Sequence, residues 1–151
     1  THMGTVLHPK FMPPYAQLAI QYKLPLLAMR WDEEGWKAEG FDEEIARVAA
    51  AFTLQLEEQG MPLHDGLFNM NLARPEDGVE QVKSVIDSLP TGLSRLYLHP
   101  AYDTPEIRAI APDWRSRVRD YQVFMSDELR TYIKKSGVQL IGYRDVQKVS
   151  F

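Results

Sequence analysis

Apolar positions recur along this chain with a helical period. Over residues 41–59, Ile45, Val48, Ala49, Phe52 and Leu56 fall three or four apart, which places them on one helix face. Asp42, Glu43 and Glu44 stand in the first turn, where they complement the helix dipole, and Gly60 supplies a stop. The same spacing over residues 76–89 brings Val79, Val82, Val85, Ile86 and Leu89 to one side. Pro13-Pro14 opens a further helical stretch with Tyr15, Leu18, Ala19 and Tyr22 on one side. Proline suits a first turn because the N–H it lacks would be unpaired there anyway. Residues 114–124 and 127–135 read as two more helices, the second capped by Ser126 and ended by Gly137.

Between these stretches lie short apolar runs that read as strands: 24–29, 62–68, 93–98 and 138–143. Residues 30–40 and 99–112 read as loops. Helices alternating with short strands predict an α/β protein with a mostly parallel sheet. A parallel sheet of four or five strands, open at both edges, is a poor stand-alone unit. The expected fold is therefore an incomplete or distorted (β/α) barrel with flanking helices. Residues 1–151 would be its C-terminal part, or the sheet would be completed by a second copy in a homo-oligomer.

Composition narrows the function classes. At 151 residues the chain has the length of one domain, and 44% of it is hydrophobic. It contains no cysteine, which excludes disulfides, thiolate metal sites and a cysteine nucleophile. The net charge is -4, and basic residues cluster only at Arg115–Arg119 and Lys134-Lys135, which argues against a nucleic-acid partner. No apolar run approaches the ~18 residues of a membrane span, and no signal-peptide pattern is present, so the expected compartment is the cytoplasm. There is neither a glycine-rich phosphate loop nor a G-x-S-x-G nucleophile elbow.

The candidate chemistry centres on His99. In Leu96-Tyr97-Leu98-His99-Pro100 a buried strand ends on a histidine and is stopped by a proline. Strand ends of this kind meet substrate in α/β proteins. An imidazole there can satisfy a backbone carbonyl, act as a general acid or bind a metal. Tyr102 and Asp103 follow in the same loop and could orient His99 or contact a polyhydroxyl substrate. His64-Asp65-Gly66 lies near a second strand, where His64 is either structural or part of a substrate loop. His2 and His8 are the other histidines; His2-Met3 also has the form of a pair left by cloning. Trp31, Trp36 and Trp114 suit sugar stacking or loop packing. Arg115, Arg119 and Asp120 are expected to pair across a helix turn, with Asp120 a candidate anchor for a loop.

Three segments carry a resemblance: 96–102 (Leu-Tyr-Leu-His-Pro-Ala-Tyr), the Trp114-Arg115-x-Arg117-x-x-Asp120-Tyr121-x-x-Phe124 stretch, and Gly137-Val138-x-Leu140-Ile141-x-Tyr143-Arg144-Asp145. Near the start, His2 is followed seven positions later by Pro9. Together these resemble the YdjC-like carbohydrate deacetylases, also called the ChbG/HpnK family. The resemblance implies a distorted (β/α) barrel that removes N-acetyl groups from amino sugars such as chitooligosaccharides. It implies a divalent metal, magnesium or zinc, held by one aspartate and two histidines, with His2 in the place of one. His99 takes the place of the proton donor to the leaving amine. Tyr102, Asp103 and His64 become candidate substrate contacts, and Arg115 and Asp120 candidate supports. The chain lacks the family's early Asp-Asp pair and a second ligating histidine before His2. The competing expectation is a non-catalytic α/β fragment or assembly domain on the same frame.

Overall fold

The computed structural model describes residues 5–150. Its contacts divide the chain into two compact units: one holds the residues through Asp65 together with those from Leu140 onward, the other Gly66–Gln139.

In the first unit a 3-10 turn, Thr5–Leu7, precedes helix α1, Met12–Gln21. Helix α3, Glu43–Glu58, forms within the expected range, but its buried face is turned from the expected stripe, and Val48, expected inside, is exposed. Its N-cap is Asp42, whose Oδ1 accepts the Ile45 N–H at 2.8 Å, and it buries Ala46, Ala49, Thr53 and Leu56. The core joins Ala16 and Ala19 of α1 and Leu56 of α3 to Leu26, Ala28, Met61 and Leu63. The apolar run at 24–29 is buried over most of its length, but among the described residues its one bridge is the parallel one from Met29 to His64. Part of its backbone is satisfied by a side chain, since the Leu27 N–H donates to the Tyr15 hydroxyl at 3.0 Å.

Two departures from the expected elements lie in this unit. Residues 30–40 contain helix α2, Glu33–Ala38. It is built by its cap rather than by periodicity: Asp32 accepts the Gly35 N–H at 2.8 Å, and Lys37 pairs with Glu33 and Glu34. The expected strand at 138–143 is absent. Residues 138–142 are without ladder pairing, and helix α8, Tyr143–Ser150, begins at the end of that run. The Gly142 N–H donates to Asp145 Oδ2 at 3.1 Å, and Val146 is a buried residue of that helix.

The second unit contains the sheet. Strands β1, Gly66–Asn69, and β2, Ser94–Tyr97, run parallel, in register from Gly66 opposite Ser94 to Asn69 opposite Tyr97. Helix α4, Gly78–Asp87, is the crossover between them. Helix α5, Pro105–Ile110, sits in the expected 99–112 loop, capped by Thr104 Oγ1 on the Ile107 N–H at 3.3 Å. Helices α6, Trp114–Phe124, and α7, Asp127–Ser136, match the expected ranges closely. Ser126 caps α7 through the Leu129 N–H at 3.2 Å, and Gly137 ends it in the left-handed conformation at φ 79°. Met70, Val82, Val123 and Leu129 form the core, with Leu96 and Leu98 packed against it. Burial of each such side chain contributes roughly 1.5–3 kcal/mol. The fold is thus mixed helix and sheet, with a small parallel two-stranded sheet among the described residues that does not close on itself. No helix among those residues is long and apolar enough to cross a membrane.

Candidate functional site at the end of the second strand

Parallel strands gather the residues that follow their C-terminal ends. Beyond β2 these are Leu98, His99 and Pro100; beyond β1 they are Met70, Asn71 and Leu72. The Met70 N–H donates to Tyr97 O at 3.1 Å, which sets the two strand ends side by side.

His99 is half-buried and is held by its backbone. Its N–H donates to Oδ2 of Asp120 at 2.9 Å. Asp120 is fully buried on α6, and its Oδ1 accepts from Arg119 Nη2 at 2.6 Å and Nε at 3.1 Å. His99 Nδ1 is buried and meets no hydrogen-bond partner among the described residues. Leaving such an atom unpaired costs about 1–3 kcal/mol, so proteins keep it rarely and often at functional sites. The backbone of His99 is thus fastened while its Nδ1 is unpaired among the described residues.

The loop after His99 is tied to the same helix. The Ala101 N–H donates to Arg117 O at 3.1 Å. Tyr102 is exposed, its ring 4.5 Å from that of Tyr121 and its hydroxyl 3.2 Å from the Tyr121 hydroxyl. That hydrogen bond pushes the Tyr121 phenol up. Asp103 accepts a bidentate pair from Arg108, Nε at 2.6 Å and Nη2 at 2.7 Å. The guanidinium holds the Asp103 carboxyl below the usual carboxylate range. Asp113 is lowered likewise, chiefly by its hydrogen bond with Arg117, and positive charge on His99 acts in the same direction. Tyr102 and Asp103 are therefore engaged with Tyr121 and Arg108, and the carboxylate that contacts His99 is Asp120.

The expected pairing of Arg115 with Asp120 does not form. Arg115 lies over the Trp114 ring at 4.5 Å, and Arg108 lies over the same ring at 4.8 Å. The partner of Asp120 is its neighbour Arg119, and the i,i+4 pair of this helix region is Arg117 with Asp113. Helical spacing governs exposed pairs; a buried pair of neighbours needs the surrounding fold to bend both side chains inward. Of the two expectations for the tryptophans, packing holds for Trp36. Trp36 is fully buried between Trp31 and Phe41, and two guanidinium groups lie over the Trp114 ring. Trp31 lines a groove of about 360 Å³ with Arg30, Leu54 and Glu57.

His64 belongs to the first unit and is 5% exposed. Its N–H donates to Ala28 O at 2.8 Å, its carbonyl accepts the Arg30 N–H at 2.8 Å, and its Nδ1 lies 3.2 Å from Ala28 O. A carbonyl only accepts, so Nδ1 carries the proton in that contact. Asp65 takes a different partner, Arg30, which also pairs with Glu57. His8 precedes α1, and its Nδ1 accepts the Lys10 N–H at 3.2 Å. His2, the expected metal ligand, lies outside the described residues. Among the described residues no three histidine, aspartate or glutamate side chains gather in a way that could hold a metal ion.

The expected pairing of Arg119 with Asp120 forms, between neighbours rather than across a turn, and Asp120 anchors the His99 loop as expected.

The chain is similar to a carbohydrate deacetylase of Thermus thermophilus, at 31% identity over 134 residues. The aligned stretch covers 85% of this chain and 45% of that relative, so the chain spans less than half of the relative's length. The profile of the YdjC-like proteins matches residues 1–135, and by that match the chain belongs to the YdjC-like protein family.

Proposed function

We propose that this chain supplies part of a hydrolytic site that removes N-acetyl groups from amino sugars such as chitooligosaccharides, with His99 as proton donor to the leaving amine. The observation that carries the reading is His99 itself, a strand-end imidazole anchored through its backbone to buried Asp120, with Nδ1 unpartnered among the described residues. An amine leaves a tetrahedral adduct only when protonated, and a positioned imidazole performs that transfer near neutral pH. The exposed ring of Tyr102, braced on Tyr121, offers an apolar face with hydroxyls at its edge, which suits a sugar. Asp103 borders the same loop. The similarity to a protein named a carbohydrate deacetylase supports the substrate class. The fold that goes with this reading is a (β/α) barrel, of which β1–α4–β2 is one repeat.

A divalent cation, magnesium or zinc, belongs to the same reading, with His2 as one ligand. Such an ion polarises the amide carbonyl and acidifies a bound water. The described residues do not form a ligand set, so no step here runs through it.

The test is acetate release from N-acetylated chitooligosaccharides by the gene product, with added zinc or magnesium and with chelator. Release that depends on His99 supports the reading. No release across a panel of acetylated amino sugars overturns it in favour of a non-catalytic assembly domain.

A further inference from the structure

Helix α6 buries a polar face. Ser116, Arg119 and Asp120 are 1%, 6% and 0% exposed, at the i, i+3, i+4 spacing where an amphipathic helix carries apolar side chains. A buried ion pair is weak as a source of stability, because close-packed apolar residues serve as well or better. What such a pair can supply is fixed geometry, and here the geometry is definite. Asp120 Oδ2 takes the His99 N–H at 2.9 Å while Oδ1 takes two Arg119 donors. Arg119 Nη1 reaches the other way, to Asn71 O at 3.2 Å and Arg74 O at 2.5 Å. Ser116 Oγ donates to Leu72 O at 2.6 Å. Three carbonyls of the loop leaving β1 are thus held by the helix face that also holds the residue leaving β2. Gly78, the first residue of α4, makes room for the arginine stem: a Cβ there would overlap Arg119 Cδ and stand 2.7 Å from Val123 Cγ2.

We infer that Arg119 and Asp120 are positioning residues that lock His99 and the 71–74 loop into one frame at the strand ends. The inference rests on the reading of His99 as proton donor. Neither residue is assigned to a reacting atom; Asp120 acts through the His99 backbone, and Arg119 acts through Asp120 and the loop carbonyls. Arg119 donates to Asp120 and to the loop rather than to His99, so its effect on His99 passes through the pair.

The test compares Arg119→Lys, Arg119→Met, Asp120→Asn and Asp120→Ala by kinetics and by ¹H–¹⁵N spectra. Lysine keeps the charge and loses the planar fork that bridges the two loops. Misplacing a catalytic group by about 1 Å costs on the order of 100-fold in rate, so Arg119→Lys should lower kcat by up to that factor with KM little changed. Its spectrum should show the His99 amide moving together with those of residues 71–74. Asp120→Asn, which keeps an acceptor for the His99 N–H, should retain more kcat than Asp120→Ala. Any variant that melts below assay temperature is replaced by Gly78→Ala, which displaces the arginine stem and removes no charge. Folded variants with wild-type kcat, or with a His99 amide unmoved while the loop shifts, overturn the inference. Should the wild-type protein release no acetate, the deacetylase reading fails on its own, and the joint or separate movement of the amides still decides the coupling.

Discussion

His64 and His99 each follow a leucine at the end of an apolar run, and their surroundings differ atom by atom. His64 has both backbone groups bound to the neighbouring extended segment, and its Nδ1 faces a carbonyl of that segment. His99 has its N–H taken by a side chain, buried Asp120, and its Nδ1 meets no partner among the described residues. The first arrangement spends the histidine on structure. The second fixes the backbone by an element outside the sheet and leaves a ring nitrogen uncommitted. On the proposed reading of His99, the two histidines differ in the source of their anchor, a neighbouring extended segment for His64 and a buried carboxylate for His99. The sharpest way to break this contrast is His99→Gln. General acid catalysis contributes typically about 10²–10⁴-fold, so kcat for acetate release should fall within that range while the thermal midpoint holds. A wild-type rate from folded His99→Gln would place the chemistry elsewhere.

His64→Gln should behave in the opposite way. It disturbs a buried contact at 5% exposure, and loss of a buried hydrogen-bonding group costs about 1–3 kcal/mol. Urea denaturation should report that loss, with a smaller drop in kcat than His99→Gln produces. If His64→Gln instead lowered kcat more than His99→Gln at unchanged stability, the contrast between the two sites would be reversed.

The anchor of His99 has its own weak point in Gly78. A Cβ there would overlap the Arg119 stem, and overpacking of a well-filled core typically costs about 1–3 kcal/mol. Gly78→Ala should therefore lower the urea midpoint of the second unit, although alanine is the better helix former by about 1 kcal/mol. A stabilised Gly78→Ala would mean that the Arg119 stem is free to move, and the frame around His99 would then be looser than its hydrogen bonds imply.

These contrasts also mark what could be read before the fold was known. Helices α3 and α7 follow from local signals, an acidic first turn and the Ser126 cap, although Asp42, read inside the first turn of α3, is its cap. The strand ending before His99 is legible for the same reason, since an apolar run meets a proline. Helices α2 and α5 were also within reach: Asp32 with acidic residues after it, and Thr104 before Pro105, are cap signals that outweigh weak periodicity. The run at 138–143 misleads because a short apolar stretch satisfies strand and helix templates alike, and only a distant pairing partner decides. The Arg119–Asp120 pair is of that second kind. Adjacent helix residues point in different directions, and both turn inward only because loop carbonyls at Asn71 and Arg74 and the His99 N–H await them. No spacing rule within α6 contains those partners.

The smallest expected effect concerns the charge around His99. Asp113 is lowered mainly by its hydrogen bond with Arg117, an i,i+4 pair with Arg117 Nε at 2.7 Å and side chains 30% and 24% exposed. A carboxylate whose pKa is depressed in the folded state contributes stability above its unfolded value. That contribution is lost as the pH falls through the lower folded value. For a partly exposed helical pair it amounts to roughly 0.3–0.5 kcal/mol. Arg117→Gln should therefore lower stability by about that much at pH 7, and the gap from wild type should close below the usual carboxylate range, near about 4. In a ¹³C titration Asp113 should move up toward the ordinary aspartate value. Positive charge on His99 also favours the Asp113 carboxylate, so adding His99→Gln should raise it a little further. An Asp113 titration indifferent to His99 would separate the two side chains electrostatically and leave Asp120 as the acidic contact that distinguishes His99 from His64.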